Sequence, residues 1–175
     1  KTKTLNNFQK AVIRKRWATM EELMSAEERK ARIAASIIHD FDTKPRLNDD
    51  RRTAILVAAS IYDACHYYRI LHSKSFGQYC GIITSFEPNR DERFKFDTYT
   101  KYVLTGRQST KSYEDEAKRR FIEEPANMKV LIVVSKLLTG FDAPSCTHIY
   151  LDNELHDHNL FQAICRTNRL DGEDK

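Results

Sequence analysis

The sequence predicts an α/β fold, a parallel sheet flanked by helices and preceded by a helical segment. Two uninterrupted apolar runs, Thr53-Ala-Ile-Leu-Val-Ala-Ala59 and Val130-Leu-Ile-Val-Val134, have the make-up of strands buried on both faces of a sheet. Stripes with the helical i, i+3, i+4, i+7 spacing alternate with them, and strands alternating with helices argue a parallel, two-faced sheet. The length of 175 residues, 41% of them hydrophobic, suits one such domain plus an appendage.

Residues 1–48 read as the preceding helical unit and residues 49–175 as the domain proper. Thr19-Met-Glu-Glu22 and Ser25-Ala-Glu-Glu28 each fit a capping box, in which a hydroxyl and a carboxylate satisfy the free amides of a helix start. After the second, Ala34, Ile37, Ile38 and Phe41 form a stripe expected to face a core. The unit is either a connector from a preceding domain or an amphipathic helix packed on this one. Polar, turn-prone Pro45-Arg-Leu-Asn-Asp-Asp-Arg-Arg52 marks the boundary.

The strand at 53–59 is followed by a helix carrying Ile61, Ala64, Cys65 and Tyr68, with Gly77 as its stop, and by a short strand at 79–84. Residues 86–102 are charged and aromatic without a clear period, and are expected to form a loop or an edge element. Ser112 is the expected cap of a helix that turns Ala117, Phe121 and Ile122 inward and ends at Pro125. A strand at 130–134, another at 148–151 and a helix at 159–169 complete the order.

The balance of 29 basic against 25 acidic side chains, net +4, is compatible with a polyanionic partner without requiring one. Cys65, Cys80, Cys146 and Cys165 are widely spaced with no C-x-x-C pair, which disfavours a zinc ribbon or a disulfide framework and suits reduced, cytoplasmic thiols. No run approaches the ~20 apolar residues of a membrane span, so no membrane association is expected. Lys1 opens the chain where a methionine would start one, and both ends read as cut from something longer.

Most of the chemistry gathers near the end. The strand at 130–134 leads into Ser135-Lys-Leu-Leu-Thr-Gly-Phe-Asp-Ala-Pro144, and the last helix carries Gln162-Ala-Ile-Cys-Arg-Thr-Asn-Arg169. Gly140 permits close backbone approach, and the Asp142 carboxylate suits either a ribose hydroxyl or an arginine of the last helix. Gln162, Arg166 and Arg169 share one helix face, while Leu160, Ile164 and Cys165 turn toward the sheet. A carboxylate at a strand's carboxyl end and two guanidiniums facing it would make half of an ATP site.

The order and spelling of these segments resemble motifs V and VI of superfamily 2 helicases and translocases, and within that group the restriction (R) subunit of type I restriction enzymes. The resemblance covers roughly residues 50 to 175 and implies a RecA-like second motor lobe. It departs from the superfamily pattern Gln-x-x-Gly-Arg-x-x-Arg at one point, where Cys165 replaces glycine. That change is expected to alter packing rather than chemistry. By resemblance, Arg169 is the expected arginine finger on the γ-phosphate, with Arg166 assisting, and Gly140, Asp142 and Gln162 are nucleotide-binding. ATP and Mg²⁺ are the implied cofactors, bound mainly by a first lobe. Ser60, Ser85, Ser135 and Thr139, just past their strands, are the expected contacts to DNA phosphates, although serine in such places is also a routine cap.

The implied partners are double-stranded DNA, the methyltransferase and specificity subunits, and the first motor lobe and nuclease domain of the same chain. Another superfamily 2 helicase lobe and a non-catalytic docking scaffold are the alternatives. Walker A, Walker B and nuclease motifs are not found, so the chain alone is expected to be inactive. Gly106-Arg-Gln-Ser-Thr-Lys-Ser112 lacks the glycine spacing of a P-loop, and Asp152-Asn-Glu-Leu-His-Asp-His158 has no metal-site spacing, so no metal site is expected. Tyr99, Tyr102 and Tyr113 sit beside lysines and could stack on bases, although scattered aromatics in a basic chain are more often sheet packing.

Overall fold

The computed structural model describes residues 7–105, 109–134 and 143–152, with side chains of the first helix described chiefly from Ala26 onward. Four parallel strands, β1 (Thr53–Ala58), β2 (Cys80–Ile83), β3 (Val130–Val133) and β4 (Cys146–Asp152), pair in the order β2-β3-β1-β4. Their helices are α1 (Asn7–Thr43), α2 (Ile61–Ser73), α3 (Arg93–Thr98) and α4 (Thr110–Glu123). The predicted parallel α/β architecture with flanking helices, a RecA-like arrangement, is what the chain adopts. The crossover from β1 to β2 passes over β3, and β4 pairs with β1 on the side away from β3.

The period of two along each strand divides the core between the two faces. Ala54, Leu56, Ala58, Ile82, Val130 and Ile132 point to one side, where Ala34, Ile37 and Phe41 of α1 and Ala64, Cys65, Tyr68 and Leu71 of α2 cover them. Ile55, Val57, Ile83, Leu131 and Val133 point to the other, under Ala117 and Phe121 of α4. Every residue of β1 is buried, as its unbroken apolar run requires. Ile38 is half-buried at the rim of the first face.

Several expectations change. α1 runs straight through both capping boxes: with no Gly or Pro between residues 7 and 43, nothing halts it, and capping residues inside a continuing helix are ordinary helical residues. α4 starts one turn early, on Ser109, whose hydroxyl accepts from Ser112 N at 3.1 Å, so Ser112 lies in the first turn rather than at the cap. The earlier start buries Thr110, whose hydroxyl donates to Glu87. Ile122 is 40% exposed, because Ala117 and Phe121 already hold the inward face and residue 122 lies about 100° further round.

α2 ends at Ser73, and the left-handed residue beyond it is Ser75 (φ 61°) rather than Gly77. Gly77 instead opens a 3₁₀ turn (Gly77–Tyr79), where a Cβ would lie 2.3 Å from His72 Cγ. The unassigned stretch 86–102 is neither loop alone nor edge strand. It contains α3 and most of a π-helical turn (Tyr99–Val103), pinned by Arg69, which donates to the Thr98 hydroxyl and Phe94 carbonyl and lies 4.1 Å over the Phe94 ring. β4 extends past the expected 148–151 at both ends.

Candidate functional site at the carboxyl edge of the sheet

Because all four strands run the same way, they end at one edge, the side on which open α/β sheets place their ligands. Ser60 follows β1 there and caps α2: its hydroxyl accepts from Asp63 N at 3.1 Å and donates to the Asp63 carboxylate at 2.7 Å. Ser85 follows β2 and is exposed between buried Thr84 and Phe86. The Thr84 hydroxyl bonds that of Tyr99 at 2.7 Å and accepts from Phe86 N, which fixes the turn out of β2.

Ser135, Thr139, Gly140, Asp142, Gln162, Arg166 and Arg169 lie outside the described residues. The chain enters 135–142 from β3 and 153–175 from β4, and these two strands flank β1. Both stretches therefore depart from the carboxyl edge, on either side of the strand that precedes Ser60.

Among the described residues, the carboxylates of Asp152 and Asp63 lie at this edge, and α1 supplies a cation to each. Asp152, the last residue of β4 and 8% exposed, accepts from Tyr67 Oη at 2.6 Å and from both terminal nitrogens of Arg29. Asp63, in the first turn of α2, accepts from Lys30 Nζ at 2.8 Å. Burial pushes the Asp63 carboxyl up, but Lys30 and the Ser60 hydroxyl outweigh it and hold it below its ordinary value. Burial and the bond into Asp152 keep the Tyr67 hydroxyl protonated far above its usual range.

Lys30–Asp63 is the better shielded pair, with 8% and 21% of the two side chains exposed. Removing one partner of a buried pair costs on the order of 3–5 kcal/mol. The Arg29 side chain is 55% exposed, so its pairing is screened and weaker.

The sequence reading missed Arg29, Lys30, Asp63, Tyr67 and Asp152. One signal was available, since Ser60-Ile-Tyr-Asp63 is itself a capping-box spelling. Of the tyrosines beside lysines, Tyr99 is buried and Tyr113 accepts from Ile82 N, while Tyr102 is 42% exposed against His72 and Arg69. Among the described residues no group of three His, Cys, Asp or Glu side chains comes together as metal ligands. No described helix is long and apolar enough to cross a membrane.

A family model described as type I restriction enzyme subunit R domain 3 matches residues 93–175, from α3 through β4 and beyond. The HindI endonuclease subunit of a type I restriction enzyme from Haemophilus influenzae is 29% identical over 160 residues, covering 86% of this chain. Nearly half of the chain is thus similar to one domain of type I restriction enzyme R subunits, and most of its length aligns with relatives of that kind. The putative MjaIXP endonuclease subunit of Methanocaldococcus jannaschii is 29% identical over 161 residues, 92% of this chain. The putative MjaVIIP endonuclease subunit of the same organism is 38% identical over 89 residues, half of this chain. These R-subunit relatives are far longer: the chain spans 14% of the first two and 8% of the third.

Proposed function

We propose that this chain, as part of a type I restriction R subunit, forms the second lobe of an ATP-driven motor that translocates double-stranded DNA, supplying motifs V and VI. One observation carries the reading. In the sequence, Thr139-Gly-Phe-Asp142 comes after β3 and Gln162 to Arg169 come after β4, and those strands end at the same sheet edge on either side of β1. A carboxylate and two guanidiniums entering from that edge have the donor chemistry for a ribose and a triphosphate.

In this proposal Arg169 is the arginine finger, Arg166 assists it, and Gly140, Asp142 and Gln162 line the nucleotide. ATP bound with Mg²⁺ is held mainly by a first lobe of the longer subunit. Ser85, exposed past β2, is a DNA phosphate contact together with Ser135 and Thr139. The Ser60 hydroxyl is already committed to Asp63, so Ser60 meets phosphate mainly through its place at the start of α2. The preceding helix α1 serves as the connector from the first lobe. The nuclease domain lies elsewhere in the subunit, which works in the cytoplasm with methyltransferase and specificity subunits. The 175 residues alone turn over neither ATP nor DNA.

The test is Arg169→Ala in the full-length subunit. Loss of an arginine finger lowers turnover by about 10³-fold or more. Translocation should therefore stop while DNA binding stays nearly intact; translocation at the unsubstituted rate would refute the motor assignment.

A further inference from the structure

Asp152 is an unusual residue with which to end a strand. Its carboxylate is buried at the carboxyl edge, where an apolar side chain would avoid the cost of desolvating a charge. Both of its oxygens are engaged from two different elements. Arg29 of α1 reaches Oδ1 and, at 3.3 Å, Oδ2, while Tyr67 of α2 donates to Oδ2 at 2.6 Å. The Tyr67 side chain is itself fully buried, which makes its hydroxyl a fixed post. Next to this contact, Lys30 ties the same turn of α1 to Asp63 at the start of α2.

We propose that Asp152, Arg29 and Tyr67 form a positioning triad through which α1 sets the direction of the chain as it leaves β4. The inference rests on the motor reading above, since its consequence falls on the stretch after Asp152 that contains Arg166 and Arg169. A carboxylate held by donors from α1 and α2 fixes the last residue of β4 in orientation as well as place, which a hydrophobic contact would not do. Arg29 is the adjustable member, because its side chain is half in solvent. A shift of α1 relative to the sheet is thereby transmitted to the residues that follow β4. None of the three touches nucleotide in this account; they act through what they hold.

The experiment uses the full-length R subunit in its complex on DNA. It compares Arg29→Ala, Arg29→Lys, Asp152→Asn, the double variant Arg29→Ala/Asp152→Asn, and Arg169→Ala, measuring DNA-stimulated ATPase kcat, KM for ATP and Tm for each. Misplacing a catalytic group by about an ångström costs up to ~100-fold in rate. Arg29→Ala and Asp152→Asn should therefore each lower kcat about 10- to 100-fold with KM for ATP nearly unchanged. The double variant should be no worse than the more severe single one, because both cut the same contact. Arg29→Lys, which keeps the charge, should recover most of the loss.

Unsubstituted kcat in Arg29→Ala and Asp152→Asn alongside an inactive Arg169→Ala overturns the triad and leaves the motor reading standing. A kcat loss that only follows the fall in Tm, without rescue by Arg29→Lys, overturns it as well, by reducing the contact to packing. Full turnover in Arg169→Ala overturns the motor reading and the triad together.

Discussion

Tyr113 closes a strand edge with one hydroxyl. Among the described residues β2 pairs only with β3, and the Ile82 amide on its other side donates to Tyr113 Oη at 3.2 Å. Unpaired strand edges invite pairing with other chains, and covering the edge is one of the ways proteins prevent it. Burial holds the Tyr113 hydroxyl protonated above its ordinary value, but it is its acceptor lone pair that serves here. Tyr113→Phe should leave a buried amide without a partner at a cost of about 1–3 kcal/mol. Hydrogen exchange at Ile82 would then speed up roughly tenfold or more, and an unchanged rate would show the hydroxyl to be dispensable. Nothing in the sequence marks Tyr113 for this role, because its partner comes from a strand 31 positions away.

At the level of elements, the connection from α2 to β2 depends on Gly77 having no side chain. A Cβ there would come within 2.3 Å of the His72 ring and 2.7 Å of its backbone Cα, so a rotamer change alone does not make room. Gly77→Ala should cost about 1–3 kcal/mol, the usual range for overpacking, read as a lower denaturation midpoint. A midpoint unchanged from the native protein would mean that the turn yields freely.

The strands were legible in the sequence because β1 and β3 are continuous apolar runs, and the inward faces of α1 and α2 followed from their 3.6-residue period, whereas α4 was legible at Ala117 and Phe121 but not at Ile122. α3 was not legible. Its six residues are too few to show a period, and it is held by Arg69 and the Phe94 ring, which are tertiary contacts. The carboxyl edge was half legible: Ser60 and Ser85 could be placed just past their strands, whereas Asp152 gained meaning only once α1 was seen to lie beside it.

For the molecule as a whole, α1 is fastened to the sheet by carboxylates as well as by apolar burial. Asp40 of α1 accepts from Tyr150 Oη of β4 at 2.8 Å and from Lys44, and Asp63 accepts from Lys30. Burial raises both carboxyls, yet these partners outweigh it, and each is left below the ordinary value of 3.8. A carboxyl with a depressed folded-state pKa lends stability that is complete above its unfolded value and fades as pH falls through the folded one. Stability should therefore fall as pH drops below the ordinary carboxyl value of 3.8, with α1 loosening from the sheet. In thermal unfolding across that fall in pH, Asp40→Asn and Asp63→Asn should each flatten the acid limb, and an acid limb as steep as before would exclude these two groups as its source.

The strand order carries a metric consequence. β3 and β4 are separated by β1 alone, so the stretches that start from Val133 and Asp152 set out about 9–10 Å apart, two interstrand spacings, with Ser60 close to midway. The sheet thus acts as a ruler: a molecule touched by both stretches must either bridge that gap or draw the two segments inward across the mouth of α2.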